Sequence, residues 1–164
     1  EIMIDFINSL SSVANVEVSI KLSLAVLFGA LIGLERIFAH KPAGMRTYAL
    51  VSMGSALFVI ISEIISVRYL SAGINPDPLK MAANILVGIG FLGAGIIIFK
   101  DSTLRGLTTA AGLWLSSGIG IAVGYGLYQI AFLSVIFTLF IFTILYYIER
   151  WLLMLHDGTG REDR

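Results

Sequence analysis

Among the 164 residues, the side chains whose types and spacing could do chemistry are Glu35, Arg36, Arg46, Thr47, Arg105, Thr108 and Thr109. They are one carboxylate, three guanidinium groups and three hydroxyls, set at the ends of long apolar runs. A charge beside lipid is costly unless it is paired, so the first chemistry is an ion pair of Glu35 with Arg46 or Arg105. The second is anion or lipid head-group binding. Thr108 and Thr109 open an apolar segment just after Arg105, and the free backbone N–H groups of a helix start suit an anion. Enzymatic chemistry has no such starting point, since no nucleophile and base can be paired from the sequence. The absence of cysteine excludes disulfides and thiolate sites. His40 and His156 are isolated, without ligand-spaced partners. Glu35 is the residue to hold a metal if any does, and no cofactor is expected.

Those residues need a scaffold, and composition says which kind. The chain is 57% hydrophobic and 13% charged, with a mean hydropathy of +0.92, against about 25% charged residues in a soluble domain. An all-α polytopic membrane protein is expected, with five transmembrane helices and an N-terminal interfacial helix. Lys plus Arg and Asp plus Glu are both 11, so placement of charge says more than its sum. No nucleic-acid partner is expected.

Residues 1–18 read as the interfacial helix, with Met3, Phe6, Ile7, Leu10 and Val13 at helical spacing among polar residues. No cleavable signal peptide is evident, because Glu1, Asp5 and Glu17 precede the first apolar segment. The lack of an initiator Met suggests a trimmed chain. Residues 19–155 form the five-helix domain and 156–164 a cytoplasmic tail.

The uncharged part of the first span covers only 13 residues, Leu22 to Leu34, or about 20 Å of helix. Either Lys21 snorkels outward and the helix starts near Val16, or Glu35 and Arg36 sit at the membrane edge, and both can hold. The second span runs from about Arg46 to Val67, with Glu63 near its exit and solvated at the interface.

The third span, Met81 to Phe99, is 19 residues without a charge, close to the roughly 30 Å of bilayer hydrocarbon. It is expected to be the central helix, with Gly88, Gly90, Gly93 and Gly95 as a packing face. Gly88 to Gly93 also fits the dinucleotide pattern G-x-G-x-x-G, but no strand precedes it and no acidic residue follows at the required distance. Asn84, within the same helix, is expected to make an interhelical hydrogen bond.

Gly106 to Ile148 is 43 residues without a charge, about two bilayer crossings. Gly124-Tyr125-Gly126 marks the reversal between them. The fourth span carries a small and polar stripe, from Thr108 and Thr109 through Gly112 and Ser116 to Gly120 and Gly124. The fifth is bulky, with Tyr146, Tyr147 and Trp151 in the interfacial belt. Trp114 is either a core aromatic or the cap of a pocket. The pairs Gly29/Gly33 and Gly120/Gly124 serve contacts within the chain or between chains, so a homo-oligomer is open.

Five spans put eight basic residues on one side, Arg36, Lys41, Arg46, Lys100, Arg105, Arg150, Arg161 and Arg164. Lys21, Arg68 and Lys80 are on the other. The positive-inside rule then places the C-terminus in the cytoplasm and the N-terminus outside.

Four motifs, Leu31-Ile32-Gly33-Leu34-Glu35-Arg36, Ala43-Gly44-Met45-Arg46-Thr47, GIGFLGAG from Gly88 to Gly95, and RGLTTAAGLW from Arg105 to Trp114, resemble the MgtC/SapB family of bacterial and archaeal membrane proteins. The similarity covers about residues 20–150. It implies a cytoplasmic-membrane protein tied to magnesium homeostasis, some members restraining the F-type ATP synthase in virulence. Its motif residues fall on Glu35, Arg36, Arg46, Thr47, Gly90, Gly93, Arg105, Thr108, Thr109 and Trp114. Asn84 stands where the family often has Gln, Glu63 and Asp101 belong to no motif, and the C-terminal regulatory domain of larger members does not follow in this sequence.

Two functions compete. One is a non-enzymatic regulator or adaptor in contact with lipid and a membrane-protein partner. The other is a magnesium or other ion transporter. Magnesium takes octahedral oxygen coordination from carboxylates and waters, and arginines around Glu35 oppose it, so the regulator is the preferred expectation.

Overall fold

In lipid a chain must satisfy its own backbone groups, and apolar runs of this length do so as helices. The structure is a computed structural model that describes the backbone of residues 2–77, 79–100 and 103–159, and side chains within 15–77, 79–99 and 103–155. Its elements are α1 (Ile2–Phe38), α2 (Met45–Ser71), α3 (Lys80–Ile96), β1 (Ile98–Lys100), β2 (Thr103–Arg105), α4 (Leu107–Gly124), α5 (Tyr128–Phe140), a π-helical turn (Ile141–Leu145) and α6 (Tyr146–Thr159). Among the described residues, four helical stretches are long and apolar enough to cross a membrane: Asn15–Phe38, Met45–Ser71, Leu107–Gly124 and Tyr128–Leu155. The last runs through α5, the π turn and α6. The molecule is thus an all-α multi-pass membrane protein with one small hairpin.

Several sequence expectations change. Helix α1 is unbroken from Ile2 to Phe38, so residues 2–18 and the first span share one helix. Helix α3 has 17 residues, about 25 Å, and is shorter than the expected third span. Its last residues turn into β1, which pairs antiparallel with β2, placing Phe99 opposite Leu104. Gly106 then starts α4 at φ 91°. A side chain there would collide with the Ile96 carbonyl, so only glycine can bring the hairpin back against the end of α3. The proposed tail at 156–164 lies largely outside the described residues, and so does Asp101.

The central helix is α4, not α3. It packs on α1, α2, α3 and α5, and its small residues explain why. A Cβ at Gly120 would enter the Ser52 backbone, and one at Gly124 would come within 2.7 Å of Val59. Gly112 lies under the Tyr48 hydroxyl and the Phe142 ring. Close approach is sealed by hydroxyls: Ser55 and Ser117 share a 2.8 Å hydrogen bond, and Ser116 donates to the Tyr48 carbonyl at 3.1 Å. Gly29 and Gly33 do the same for α1, where a side chain would meet the α2 backbone at Tyr48 and at Met45. Both pairs therefore serve contacts inside the chain. Ile32, Tyr48, Val59, Leu113, Ile119 and Val123 fill the space between these helices.

On α3, only Ile89 and Gly93 are buried, and Gly93 meets Ala110 of α4. Gly88, Gly90 and Gly95 face open space. The expected packing face therefore reduces to one glycine.

Candidate functional site

Arg36 lies in the last turn of α1 and is 3% exposed. The turn is fixed by a Schellman-type stop, in which the Lys41 N–H donates to the Arg36 carbonyl at 2.9 Å and the His40 N–H to that of Ile37 at 3.0 Å. His40 takes the left-handed conformation, φ 54°, that such a stop requires. Its role is to end a helix.

The Arg36 guanidinium pairs with Glu35 and lies 3.5 Å above the centre of the Phe142 ring. Phe142 is the buried residue of the π turn, an insertion that re-aims side chains and recurs at functional sites. Stacking of a desolvated guanidinium is worth on the order of 1–2 kcal/mol. A carboxylate, a guanidinium and an aromatic face thus close one end of the bundle.

The expected pairing of Glu35 with Arg46 or Arg105 does not form. Both arginines are exposed, and neither has an ion-pair partner among the described residues. Arg36 is nearer by covalent structure and already desolvated. Thr47 and Thr108 are exposed. Thr109 is buried, and its carbonyl accepts from the Tyr48 hydroxyl at 3.3 Å. Trp114 is 50% exposed, so it does not fill the core. Asn84 is exposed as well, and no interhelical hydrogen bond to it forms among the described residues. It lines a groove of about 530 Å³ between α2 and α3, with Gly54, Phe58, Gly88 and Leu92.

The opposite membrane edge holds a second charged group. Lys21 is 8% exposed and pairs with Glu17 at 3.1 Å and with Glu63 of α2 at 3.5 Å. It therefore does not snorkel, and Glu63, with a side chain 43% exposed, is solvated as expected and is also an interhelical partner. The i, i+4 spacing of Glu17 and Lys21 was the available signal. Nothing in the sequence tied Glu63 to it.

A further pocket of about 570 Å³ opens beside the Arg36 site, between the end of α1, the start of α4 and the π turn with α6. Among the described residues, no group of three or more His, Cys, Asp or Glu lies together.

Fold and site define a multi-pass helical membrane protein whose bundle is locked at both edges by internally paired charges. The MgtC family model matches residues 22–151, and the chain belongs to the MgtC family. It is 39% identical over 129 residues to an Escherichia coli K12 protein named "Putative magnesium transporter YhiD", covering 78% of this chain and 60% of that one. It is 45% identical over 113 residues to Protein MgtC of Brucella abortus, covering 69% and 44%. To Protein SapB of Bacillus subtilis it is 38% identical over 125 residues, covering 75% and 54%. The chain thus spans between 44% and 60% of the length of these relatives. No solved structure matches it.

Proposed function

We propose that this protein is a non-enzymatic regulator or adaptor of another membrane protein, linked to magnesium homeostasis in a prokaryotic cytoplasmic membrane. The name of the Escherichia coli relative supports the magnesium link. In this reading all five helical segments span, α3 with its hairpin completing the third crossing. The N-terminus is outside and the C-terminus cytoplasmic.

The observation that carries the reading is α3, an outer helix that keeps open glycines beside an amide. Gly54 and Gly88 leave room on both walls of the α2–α3 groove, and Asn84 sits in it without a hydrogen-bond partner among the described residues. Lipid tails cannot bond an amide, whereas a helix of another membrane protein offers carbonyls or side chains and fits against glycine. The occupant is therefore a transmembrane helix of a partner protein.

Transport is the second reading, favoured by the relative's name. Against it, Glu35 is engaged by Arg36 and Glu63 by Lys21, whereas magnesium needs carboxylate oxygens and waters in an octahedron.

Magnesium flux into proteoliposomes should not exceed that of empty vesicles. Flux that disappears in Glu35→Gln would replace the regulator reading with transport. In cells that need this protein to grow at low magnesium, Gly88→Leu should melt like the parent protein and lose the growth phenotype. Full growth with that variant would remove the α3 docking face.

A further inference from the structure

The pocket beside Arg36 is basic, and its charges face each other across three elements. Arg36 comes from α1, Lys41 from the turn after it and Arg150 from α6, against a single lining carboxylate among the described residues, Glu149. Lys41 and Arg150 have no ion-pair partner among the described residues. The Glu35 carboxylate draws on Nε and one Nη of Arg36, which leaves three of the five guanidinium N–H donors for other acceptors. This guanidinium is buried and held in place by Phe142, so its remaining donors are pre-organised. Thr108 adds a hydroxyl from the first turn of α4, whose N-cap Gly106 offers no side chain to the leading N–H groups.

The rest of the wall is apolar. Leu145, Tyr146 and Leu153 border the same cavity, and all three are exposed on the outer surface. A phosphate at the cations therefore sits next to a surface suited to an acyl chain. Basic pockets between transmembrane helices bind lipid phosphates by this combination.

We infer that the cavity lined by Arg36, Lys41, Thr108 and Arg150 binds a phosphate group, carried by an anionic phospholipid whose chain lies along the exposed face of the π turn and α6. The pocket draws on a different set of cations from Arg46 and Arg105, at which anion chemistry was expected. It is independent of the regulator reading.

The test is lipid binding by the purified protein in detergent, read as retention in native mass spectrometry and as the rise in melting temperature. Phosphatidylglycerol, phosphatidylcholine and inorganic phosphate are titrated separately. Phosphatidylglycerol should bind at least about fivefold more tightly than phosphatidylcholine. Lys41→Gln with Arg150→Gln should remove most of that preference. Arg46→Gln with Arg105→Gln, an equal change of charge on exposed residues outside the pocket, should alter it less than about twofold. Lipid-independent folding is checked by the unliganded melting temperature of each variant. Equal binding of the two lipids, or equal losses in the two double variants, would overturn the site. If inorganic phosphate bound as well as phosphatidylglycerol, the phosphate site would stand and the lipid as its source would fall.

Discussion

Helices α3 and α4 are both short, apolar and rich in glycine, yet one lies at the rim and the other at the centre. In α4 the small residues Gly112, Ser116, Gly120 and Gly124 recur at four-residue intervals, and each meets backbone or side chain of a neighbour. In α3, Gly88, Gly90 and Gly95 are clustered without meeting anything. A glycine becomes a packing residue through the helix placed opposite it. The unmatched glycines of α3 remain open surface.

The sharpest way to break this contrast is to enlarge the α4 glycines. Gly120→Leu would drive a side chain into the Ser52 backbone, and no folded monomer should be recovered after detergent extraction and size exclusion. Gly90→Leu should give normal yield.

Next in size is the lock at the end of α1. Arg36→Ala leaves Glu35 without its partner and uncovers Phe142, at a cost of roughly 3 kcal/mol. Arg46→Ala and Arg105→Ala, exposed and without ion-pair partners among the described residues, should stay near the parent melting temperature. Comparable drops in all three would remove the distinction. Gly33→Ala, overpacked against Met45, should destabilise by about 1–3 kcal/mol.

The smallest effects have the opposite sign. Gly88→Ala gains helix propensity, up to about 1 kcal/mol in water, and should leave melting unchanged or slightly raised. His40→Gly relieves a left-handed backbone and should stabilise by roughly 1 kcal/mol. Loss of stability in either would show a contact that the packing does not account for.

The class of fold, the helical segments and the reversal at Gly126 were legible in hydropathy and punctuation. Gly126 has φ 74°, as the break after the fourth span implied. The interior was less so. A run without charge does not say whether it is enclosed, and the run that looked central, α3, is outside because the small residues that meet close neighbours are on α4. The site was half legible: Glu35 and Arg36 were found by being charged at a membrane edge. Their partner Phe142 was not, since a π turn has no mark in an apolar sequence. Lys41 and Arg150 read as ordinary positive-inside residues until folding placed them around one cavity.

The two buried cations of α1 also set a length. Lys21 and Arg36 are fifteen positions apart, about 22 Å along a helix, and each is held in place by partners on other elements. The polar layers of the bundle therefore cannot slide apart to suit a thicker membrane of roughly 30 Å hydrocarbon. A segment shorter than the hydrocarbon core is matched when the surrounding lipid thins around it. Bilayers with shorter acyl chains therefore match the spacing of these two charges more closely than a core of roughly 30 Å does.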